Sequence, residues 1–171
     1  MISIVKSDMN DLELLADIGR QTFIESHGHS APSSEIEAYV TEKYSNDLFK
    51  EELENVNNIY YTLFYNNKPA GYSKIILNSL HLNIPLLNAT KLERLYLLRD
   101  FYDLKLGLEL FNHNIQISKQ NDQQGMWLFV WKDNDRAVNF YIKNGFKVIG
   151  SYNFKISENH SNPNNQMLLT Y

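Results

Sequence analysis

Apolar positions along this chain change between the spacing of strands and the spacing of helices. Residues 2–6, ISIVK, are rich in β-branched side chains and predict a short first strand. Leu12, Leu15 and Ile18 then recur at three- and four-residue steps, which predicts one apolar face of a helix. The polar stretch 26–34, SHGHSAPSS, carries glycine, proline and four serines, and it is expected to end that helix.

Two more helices and a hairpin are predicted next. Ser34 and Glu37 have the spacing of a capping box, which predicts that Ser34 begins a second helix. A third helical stretch follows over about 46–55. Residues 59–77 form two runs of β-branched and aromatic residues around the pair Asn66–Asn67, and asparagine tolerates the backbone of a tight turn. This pattern predicts a β-hairpin.

The second half of the chain alternates strands with helices. It shows strands at 90–98 and 125–131, a helix over about 106–121, a helix after Asn134, and two last strands around the asparagine-rich loop 157–165. The last strand is QMLLTY and begins at Gln166 in this interpretation. The order of elements predicts an α/β fold with one mixed sheet, in a single domain over residues 1–171.

Composition limits the chemistry. The chain has no cysteine, which excludes disulfides, thiolate nucleophiles and cysteine-ligated metal sites. The net charge of −4, without a basic cluster, gives no positively charged surface that would bind a nucleic-acid backbone. No window reaches the roughly 18 apolar residues of a membrane span, and the start lacks a secretory signal, so we expect no membrane association and a cytoplasmic location.

The stretch 99–110, RDFYDLKLGLEL, joins the strand at 90–98 to the following helix. The first amides of a helix have no partner within it, and together with the helix dipole they attract phosphate. Lys105 adds a positive charge at this point, and Gly107 leaves room for close approach. The alternative is an ordinary strand-to-helix turn with a surface lysine.

The stretch 134–146, NDRAVNFYIKNGF, places apolar and aromatic residues on one stripe of a helix. Gly145 lies where a helix end favours the left-handed backbone that glycine adopts. Tyr141 is the chemically interesting residue of this stripe. The alternative interpretation of Tyr141 is a half-buried tyrosine that packs in the core.

Together, in this order and separation, the two stretches resemble the GNAT family of acetyl-CoA-dependent N-acetyltransferases. The family pattern is a strand, a loop of alternating glycines that begins with glutamine or arginine, a helix, a strand, and then an asparagine, an alanine, FY and GF. Here LERLYLLRDFYDLKLGLELF and WLFVWKDNDRAVNFYIKNGFKVIG have these positions. The segments look most like the bacterial subgroup that includes polyamine acetyltransferases.

The glycine loop departs from the family pattern. Tyr102 stands where the family has glutamine or arginine, and Asp103 and Lys105 stand where it has two glycines, so that only Gly107 is kept. Side chains at these positions could hinder the approach of a pyrophosphate. We expect Asp103 and Lys105 to still offer their backbone N–H groups if their dihedral angles are of the right-handed α type.

The resemblance implies a mostly antiparallel sheet flanked by helices, with two strands splayed apart around acetyl-CoA. It implies that main-chain groups of the first splayed strand, amides of the loop and the side chain of Asn134 bind this co-substrate. The implied cofactor-binding residues are Leu95, Tyr96, Leu97, Tyr102, Asp103, Leu104, Lys105, Leu106, Gly107, Leu108, Asn134 and Tyr141.

Acetyl transfer to an amine needs a neutral amine, a stabilised oxyanion and a proton for the departing thiolate. An amide near Leu97 would serve the oxyanion. Tyr141, in the FY position, is the candidate general acid, because a phenol with a pKa of about 10 keeps its proton at pH 7. Glu93 is the candidate base and would accept the proton directly or through a water. The alternative interpretation is that Glu93 is an ion-paired carboxylate with no part in catalysis.

The acceptor side is less defined by the sequence. His27 and His29 lie in a region that often borders the acceptor pocket of the family, and they are the candidate substrate-binding residues. Two histidines without a third ligand nearby do not predict a metal. The aromatic candidates for the pocket wall are Tyr39, Tyr44, Trp127 and Trp131, with core packing as the alternative.

The sequence therefore predicts an acetyl-CoA-dependent N-acetyltransferase that acts on a primary amine of a small molecule, such as a polyamine. A protein or peptide amine is the second candidate acceptor. A non-catalytic acyl-CoA-binding module with an altered loop is the alternative outside catalysis. The partners expected are a small-molecule amine and no nucleic acid or membrane. The oligomeric state is not fixed by the sequence, and a homodimer stays open.

Overall fold

The computed structural model describes all residues 1–171. The strands are β1 Ile2–Lys6, β2 Asn58–Tyr65, β3 Lys68–Ile76, β4 Thr90–Leu97, β5 Gly125–Trp131, β6 Lys147–Lys155 and β7 Ser161–Thr170. The helices are α1 Leu12–His27, α2 Ser33–Lys43, α3 Asn46–Glu54, α4 Leu106–Gln120 and α5 Asp135–Lys143. None of these helices combines the length and the apolar content that crossing a membrane requires.

All seven strands form one sheet in the order β1-β2-β3-β4-β5-β7-β6. Every neighbouring pair is antiparallel except β4 and β5, which are connected through α4 and run parallel. These two strands pair only at Thr90 with Met126 and at Lys91 with Trp127. Beyond Lys91 they separate, so the sheet opens in its middle. The α/β fold with a mostly antiparallel sheet, splayed at these strands, is as predicted.

Each face of the sheet is covered by a different set of helices. Helices α4 and α5 cover one face, where the largest core cluster contains Leu106, Leu110 and Met126. Helices α1, α2 and α3 cover the other face around Leu15 and Phe49. The two cores lie on opposite sides of the sheet, and the gap between β4 and β5 opens between them.

Two element boundaries differ from the sequence prediction. Helix α2 begins at Ser33 behind Pro32, and no side chain caps it, so the predicted capping box of Ser34 is wrong. Proline fixes the backbone angle that a helix entrance needs. Strand β7 begins at Ser161, five residues before Gln166, because its asparagines pair with β5 and β6 on both sides. The loop predicted over 157–165 is correspondingly shorter.

Candidate active site

The opening between β4 and β5 forms a cavity of about 570 Å³. Its walls come from both faces of the sheet: from β4 and the entrance of α4, from α5, and from α1, α2 and β7. A cavity of this size is typical of sites that bind a small molecule. The cavity has two sides, one near α4 and α5 and one near α1, α2 and β7. After the roles that the family resemblance implies for them, we call these the cofactor side and the acceptor side.

The loop before α4 has an uncommon backbone. Asp103 and Lys105 adopt φ angles of 65° and 58°, in the left-handed region. The right-handed angles on which the sequence expectation depended are therefore not present. Few residues other than glycine adopt this region, and they do so at an energetic cost. Two non-glycine residues thus hold the backbone angles that glycine adopts most readily.

The same loop presents a row of unpaired donors. None of the N–H groups from Asp103 to Gly107 donates a hydrogen bond within the protein, whereas the N–H of Tyr102 donates to the Arg99 carbonyl and that of Leu108 to the Lys105 carbonyl. The side chains of Asp103, Leu104 and Lys105 are exposed, and Leu106 is buried in the core. Five consecutive unpaired amides at a helix entrance match what an anionic phosphate group requires.

Strand β4 adds main-chain groups to the cofactor side. The N–H of Leu98 donates to the Ala70 carbonyl of β3 at 2.9 Å. Successive residues of a strand direct their N–H and C=O groups to opposite neighbours. Leu97 and Leu95 therefore face the gap, and Tyr96 directs its main chain towards β3 and its ring into the cavity. The gap-facing groups of β4 can pair with an extended ligand as an added strand would.

Helix α5 brings Asn134 and Tyr141 to the cavity. The Asn134 side chain caps the helix, since its Oδ1 accepts a hydrogen bond from the N–H of Ala137 at 3.1 Å. This bond orients the amide, and its Nδ2 stays available as a donor. Tyr141 is 8% exposed, and burial raises its pKa above the usual value of 10. The phenol is therefore protonated at neutral pH and can donate a proton into the cavity.

Tyr102 and Arg136 form a second wall of the cofactor side. The Arg136 guanidinium carbon lies 3.5 Å from the centre of the Tyr102 ring, and both residues line the cavity. A guanidinium stacked on an aromatic ring keeps its charge and most of its donors. The cofactor side thus carries a fixed positive charge in addition to the loop amides.

Glu93 lies in an ion-pair network on the acceptor side. A β-bulge at β4 places Glu93 and Arg94 in succession towards the same cavity. Glu93 pairs with Lys74 and, at 3.1 Å, with Lys91, and its side chain is 27% exposed. Burial alone would raise the pKa of Glu93, but the attraction of Lys74, Lys91 and Arg94 outweighs it and lowers the pKa to about 2. The carboxylate is ionised and is a weaker base than an ordinary glutamate.

The second carboxylate of the network is Glu52 of α3. It pairs with Lys74 at 3.0 Å and with Arg94 at 3.1 Å, and it accepts a hydrogen bond from the Tyr60 hydroxyl. Sequence reasoning did not find this residue. Nothing in the sequence links Glu52 of one helix with Lys74 and Arg94 of two strands, because the pairing arises only in the folded sheet.

The two candidate histidines have different positions. His27 lines the cavity, stacks on Phe23 with the ring centres 4.9 Å apart, and lies near Trp131. Burial, with a smaller contribution from His29, lowers its pKa to about 4, so the ring is neutral at pH 7. His29 is exposed and packs near Trp131 at 5.3 Å, outside the residues that line the cavity.

The His27 ring also has a defined hydrogen bond. Its Nδ1 lies 2.7 Å from the Ser26 hydroxyl, which itself donates to the Thr22 carbonyl at 2.8 Å. Because the single hydroxyl proton is used there, Nδ1 is assigned as the protonated nitrogen. The other ring nitrogen, Nε2, then carries a lone pair and has no hydrogen-bond partner in the protein.

Strand β7 supplies side chains that sequence reasoning assigned to a loop. Asn162 and Asn164 line the cavity and are 3% and 6% exposed. Alternation of buried Asn162, Asn164 and Gln166 is the period of a strand with one inward face. That alternation was the available signal, and the loop propensity of asparagine hid it. No group of three or more histidine, aspartate or glutamate side chains could hold a metal ion.

Comparisons with known proteins agree with this geometry. A family model described as the acetyltransferase (GNAT) family matches residues 21–146. A spermidine N(1)-acetyltransferase of Thermoplasma acidophilum is 29% identical over 151 residues, which is 86% of this chain and 89% of that protein. An uncharacterised N-acetyltransferase of Lactobacillus delbrueckii subsp. lactis is 24% identical over 157 residues, which is 92% of this chain and 91% of that protein.

The fold has solved counterparts as well. The crystal structure of the PaiA N-acetyltransferase of Thermoplasma acidophilum in complex with coenzyme A matches with a TM-score of 0.79 and 24% identity, over 100% of this chain and 99% of that chain. Because the family model spans most of the chain and the loop amides suit a phosphate, the chain belongs to the acetyltransferase (GNAT) family and is an acetyl-CoA-dependent N-acetyltransferase.

Proposed function

We propose that residues 1–171 form one N-acetyltransferase domain that moves the acetyl group of acetyl-CoA to a primary amine of a small molecule by direct attack. The observation that carries this proposal is the position of Tyr141. Its buried, protonated phenol lines the cavity together with the gap-facing residues of β4 and with acceptor-side residues such as His27.

The residues of the cofactor side fit coenzyme A. The amides from Asp103 to Gly107 would hold the pyrophosphate, and the main-chain groups of Leu95 and Leu97 would hold the extended arm. The Nδ2 group of Asn134 would donate to an amide carbonyl of that arm. Tyr102, Leu104 and Leu108 would contribute through their side chains, and Tyr96 through its ring. When bound, acetyl-CoA supplies the acetyl group as a thioester.

Tyr141 holds the proton that the leaving sulfur needs. Since burial raises its pKa, the phenol does not ionise at the pH of the reaction. General acids of this kind contribute on the order of 10² to 10⁴ in rate. The amide of Leu97 faces the gap and is our candidate for the oxyanion.

The incoming amine must lose a proton, and two groups could receive it. Glu93 remains our proposed base, acting through a water, although its low pKa makes it a weak one. The neutral Nε2 of His27 is the second acceptor on this side of the cavity. Because both are weak bases, the supply of neutral amine would depend on the pKa of the substrate, which is about 10 for a simple alkylamine.

The candidate acceptor comes from the comparison with relatives. One relative is named a spermidine N(1)-acetyltransferase, and this supports a polyamine-like amine as a candidate. A protein or peptide amine is the second candidate within the same chemistry. A location in the cytoplasm and a homodimeric assembly stay predictions.

A thiol-release assay tests the proposal. The protein is mixed with acetyl-CoA and a panel of primary amines, free thiol is followed, and the acetylated product is identified by mass. We expect release that depends on one class of amine. Binding of acetyl-CoA without release for any amine would instead support a non-catalytic binding module.

A further inference from the structure

An unpaired carboxamide lies on the acceptor side of the cavity. Asn164 lines the cavity, is 94% buried, and its Oδ1 has no hydrogen-bond partner in the protein. Its neighbours on the same strand face are paired: Asn162 Nδ2 donates to the Ser30 hydroxyl at 2.8 Å, and Gln166 Oε1 accepts from Asn83 at 2.9 Å. A buried acceptor without a partner costs stability, so a native site of this kind needs an explanation.

Aromatic side chains surround this carboxamide. Asn164 of β7 is directly opposite Trp131 of β5 and Tyr152 of β6, and all three side chains line the cavity. Phe129, two residues before Trp131 on β5, stacks on Tyr152 with ring centres 4.6 Å apart. Because Asn164 itself is buried, a hydrogen bond that a ligand makes to it is stronger than the same bond in water.

The charges nearby do not favour a second ammonium group. Lys74, Lys91 and Arg94 share only two carboxylates, Glu52 and Glu93, so this network has one positive charge in excess. The remaining charged residues that line the cavity, Lys43 and Arg136, are also cationic. A polycationic acceptor would find no free carboxylate here.

We propose that Asn164 forms a subsite for a neutral amide group, and that the acceptor is a primary amine whose far end carries a carboxamide or peptide bond. The inference deepens the proposed function and rests on it for the reacting amine. A carboxamide both donates and accepts, so it can pair with Oδ1 and Nδ2 of Asn164 at once, whichever way the asparagine amide is oriented. An ammonium could satisfy only the oxygen.

The test compares acceptors that share a primary amine and differ at the end away from it. ω-Amino amides of three to six carbons, including 5-aminopentanamide, are compared with 5-methylhexylamine, 5-aminopentanoate and 1,5-diaminopentane, and spermidine is added to the series. For the wild-type protein we expect kcat/KM for the best amino amide to exceed that for the alkylamine and for the diamines about tenfold, the usual worth of a buried hydrogen bond.

Two variants separate the subsite from the chemistry. Asn164→Leu keeps the size and removes both polar atoms, and it should lower the ratio of kcat/KM for the amino amide to kcat/KM for the alkylamine about tenfold. Asn165→Leu changes the next residue of β7, which does not line the cavity, and serves as the matched control. Asn164→Asp adds a carboxylate and should move the preference towards 1,5-diaminopentane.

Binding of 5-aminopentanamide to the protein with coenzyme A is measured by calorimetry in parallel. Turnover of amines without any dependence on Asn164, or a preference of the wild-type protein for diamines or spermidine, overturns the subsite and leaves the proposed function standing. Binding that needs Asn164 without turnover of any amine overturns the proposed function and supports the subsite. Neither turnover nor binding that depends on Asn164 overturns both.

Discussion

The two sides of the cavity are built from different parts of the polypeptide. The cofactor side offers main-chain groups, namely the amides from Asp103 to Gly107 and the gap-facing groups of Leu95 and Leu97. The acceptor side offers side chains: the Glu93 network, His27 and the asparagines of β7. One side depends on backbone shape and the other on residue identity.

This difference explains how a loop with altered residues can still present a row of unpaired amides. Every residue except proline has an N–H group, so a cradle of amides needs only the right dihedral angles. Asp103 and Lys105 reach the left-handed angles at a cost of about 1 kcal/mol each, while their side chains stay exposed. A side-chain site has no such tolerance, because replacing one partner of an ion pair leaves the other unpaired.

The largest effect is expected where the two sides meet, at Tyr141. Tyr141→Phe removes one proton donor and keeps the ring, so we expect kcat to fall about 100-fold while the affinity for acetyl-CoA stays the same. Steady-state kinetics and calorimetry check the two halves. Tyr65→Phe, on a tyrosine outside the cavity, is the control. Unchanged kcat in Tyr141→Phe would remove the phenol from the acid role.

A substitution in the ion-pair network tests the side chains of the acceptor side. The pKa of Glu93 is lowered from 4.5 to about 2, so its contribution to stability is complete above pH 4.5 and is lost as the pH falls towards 2. The contribution is roughly 3 kcal/mol at most. Glu93→Gln should abolish this part of the acid dependence of the unfolding free energy, measured with denaturant between pH 6 and 2.5.

The control for this measurement is Glu37→Gln, on an exposed glutamate that makes no ion pair. It should retain the wild-type acid dependence.

The same Glu93→Gln protein also tests the base. If Glu93 accepts the proton while the substrate's own pKa sets the supply of neutral amine, the rate falls in this variant. The acidic limb of the plot of kcat/KM against pH then keeps its position. A loss of that limb in Glu93→Gln would instead make Glu93 the group that titrates.

A substitution of Gly107 tests the main-chain groups of the cofactor side. A Cβ atom added there would lie 3.6 Å from Leu97 Cδ1, an ordinary contact, and outside its chain neighbours and its own helix it would meet no other atom within 4 Å. Gly107→Ala should therefore stabilise the fold by about 0.5–1 kcal/mol and yet weaken coenzyme A binding about tenfold, because the methyl group enters the cavity beside the amides. Thermal unfolding and calorimetry would show these opposite signs. Leu104→Ala, in the same loop, removes an exposed side chain and should weaken coenzyme A binding much less than tenfold without stabilising the fold. Equal affinity in Gly107→Ala would refute close approach at this helix entrance.

The sequence predicted the elements that form the cofactor side, because motifs record local geometry. The strand, loop and helix around Gly107, and Asn134 and Tyr141 on α5, are each defined within a few residues of chain, and all lie at the cavity. The angles of Asp103 and Lys105 were the exception, since charged residues give no signal for a left-handed backbone.

The acceptor side could not be predicted in the same way. Glu52, Lys74 and Arg94 come together from α3, β3 and β4, and only the folded sheet sets their distances. Asn164 was hidden by its own propensity: asparagine favours turns, and it forms a strand here because β5 and β6 pair with β7 on both sides. Tertiary pairing outweighed local preference at the residues that line the acceptor side.

The smallest effects are expected from the exposed charges of the loop. Asp103→Asn and Lys105→Asn change one charge each and keep a residue that tolerates left-handed angles. If the amides bind the pyrophosphate and the side chains only modify its electrostatic environment, Asp103→Asn should lower the Kd of coenzyme A about threefold and Lys105→Asn should raise it about threefold. At 0.5 M salt both effects should nearly vanish, since screening then acts within about 4 Å. Glycine at the same positions should reproduce each result, because the charge is lost and the backbone angles are kept. A glycine variant that bound coenzyme A much more tightly than its asparagine counterpart would show that the side chains obstruct the row of amides.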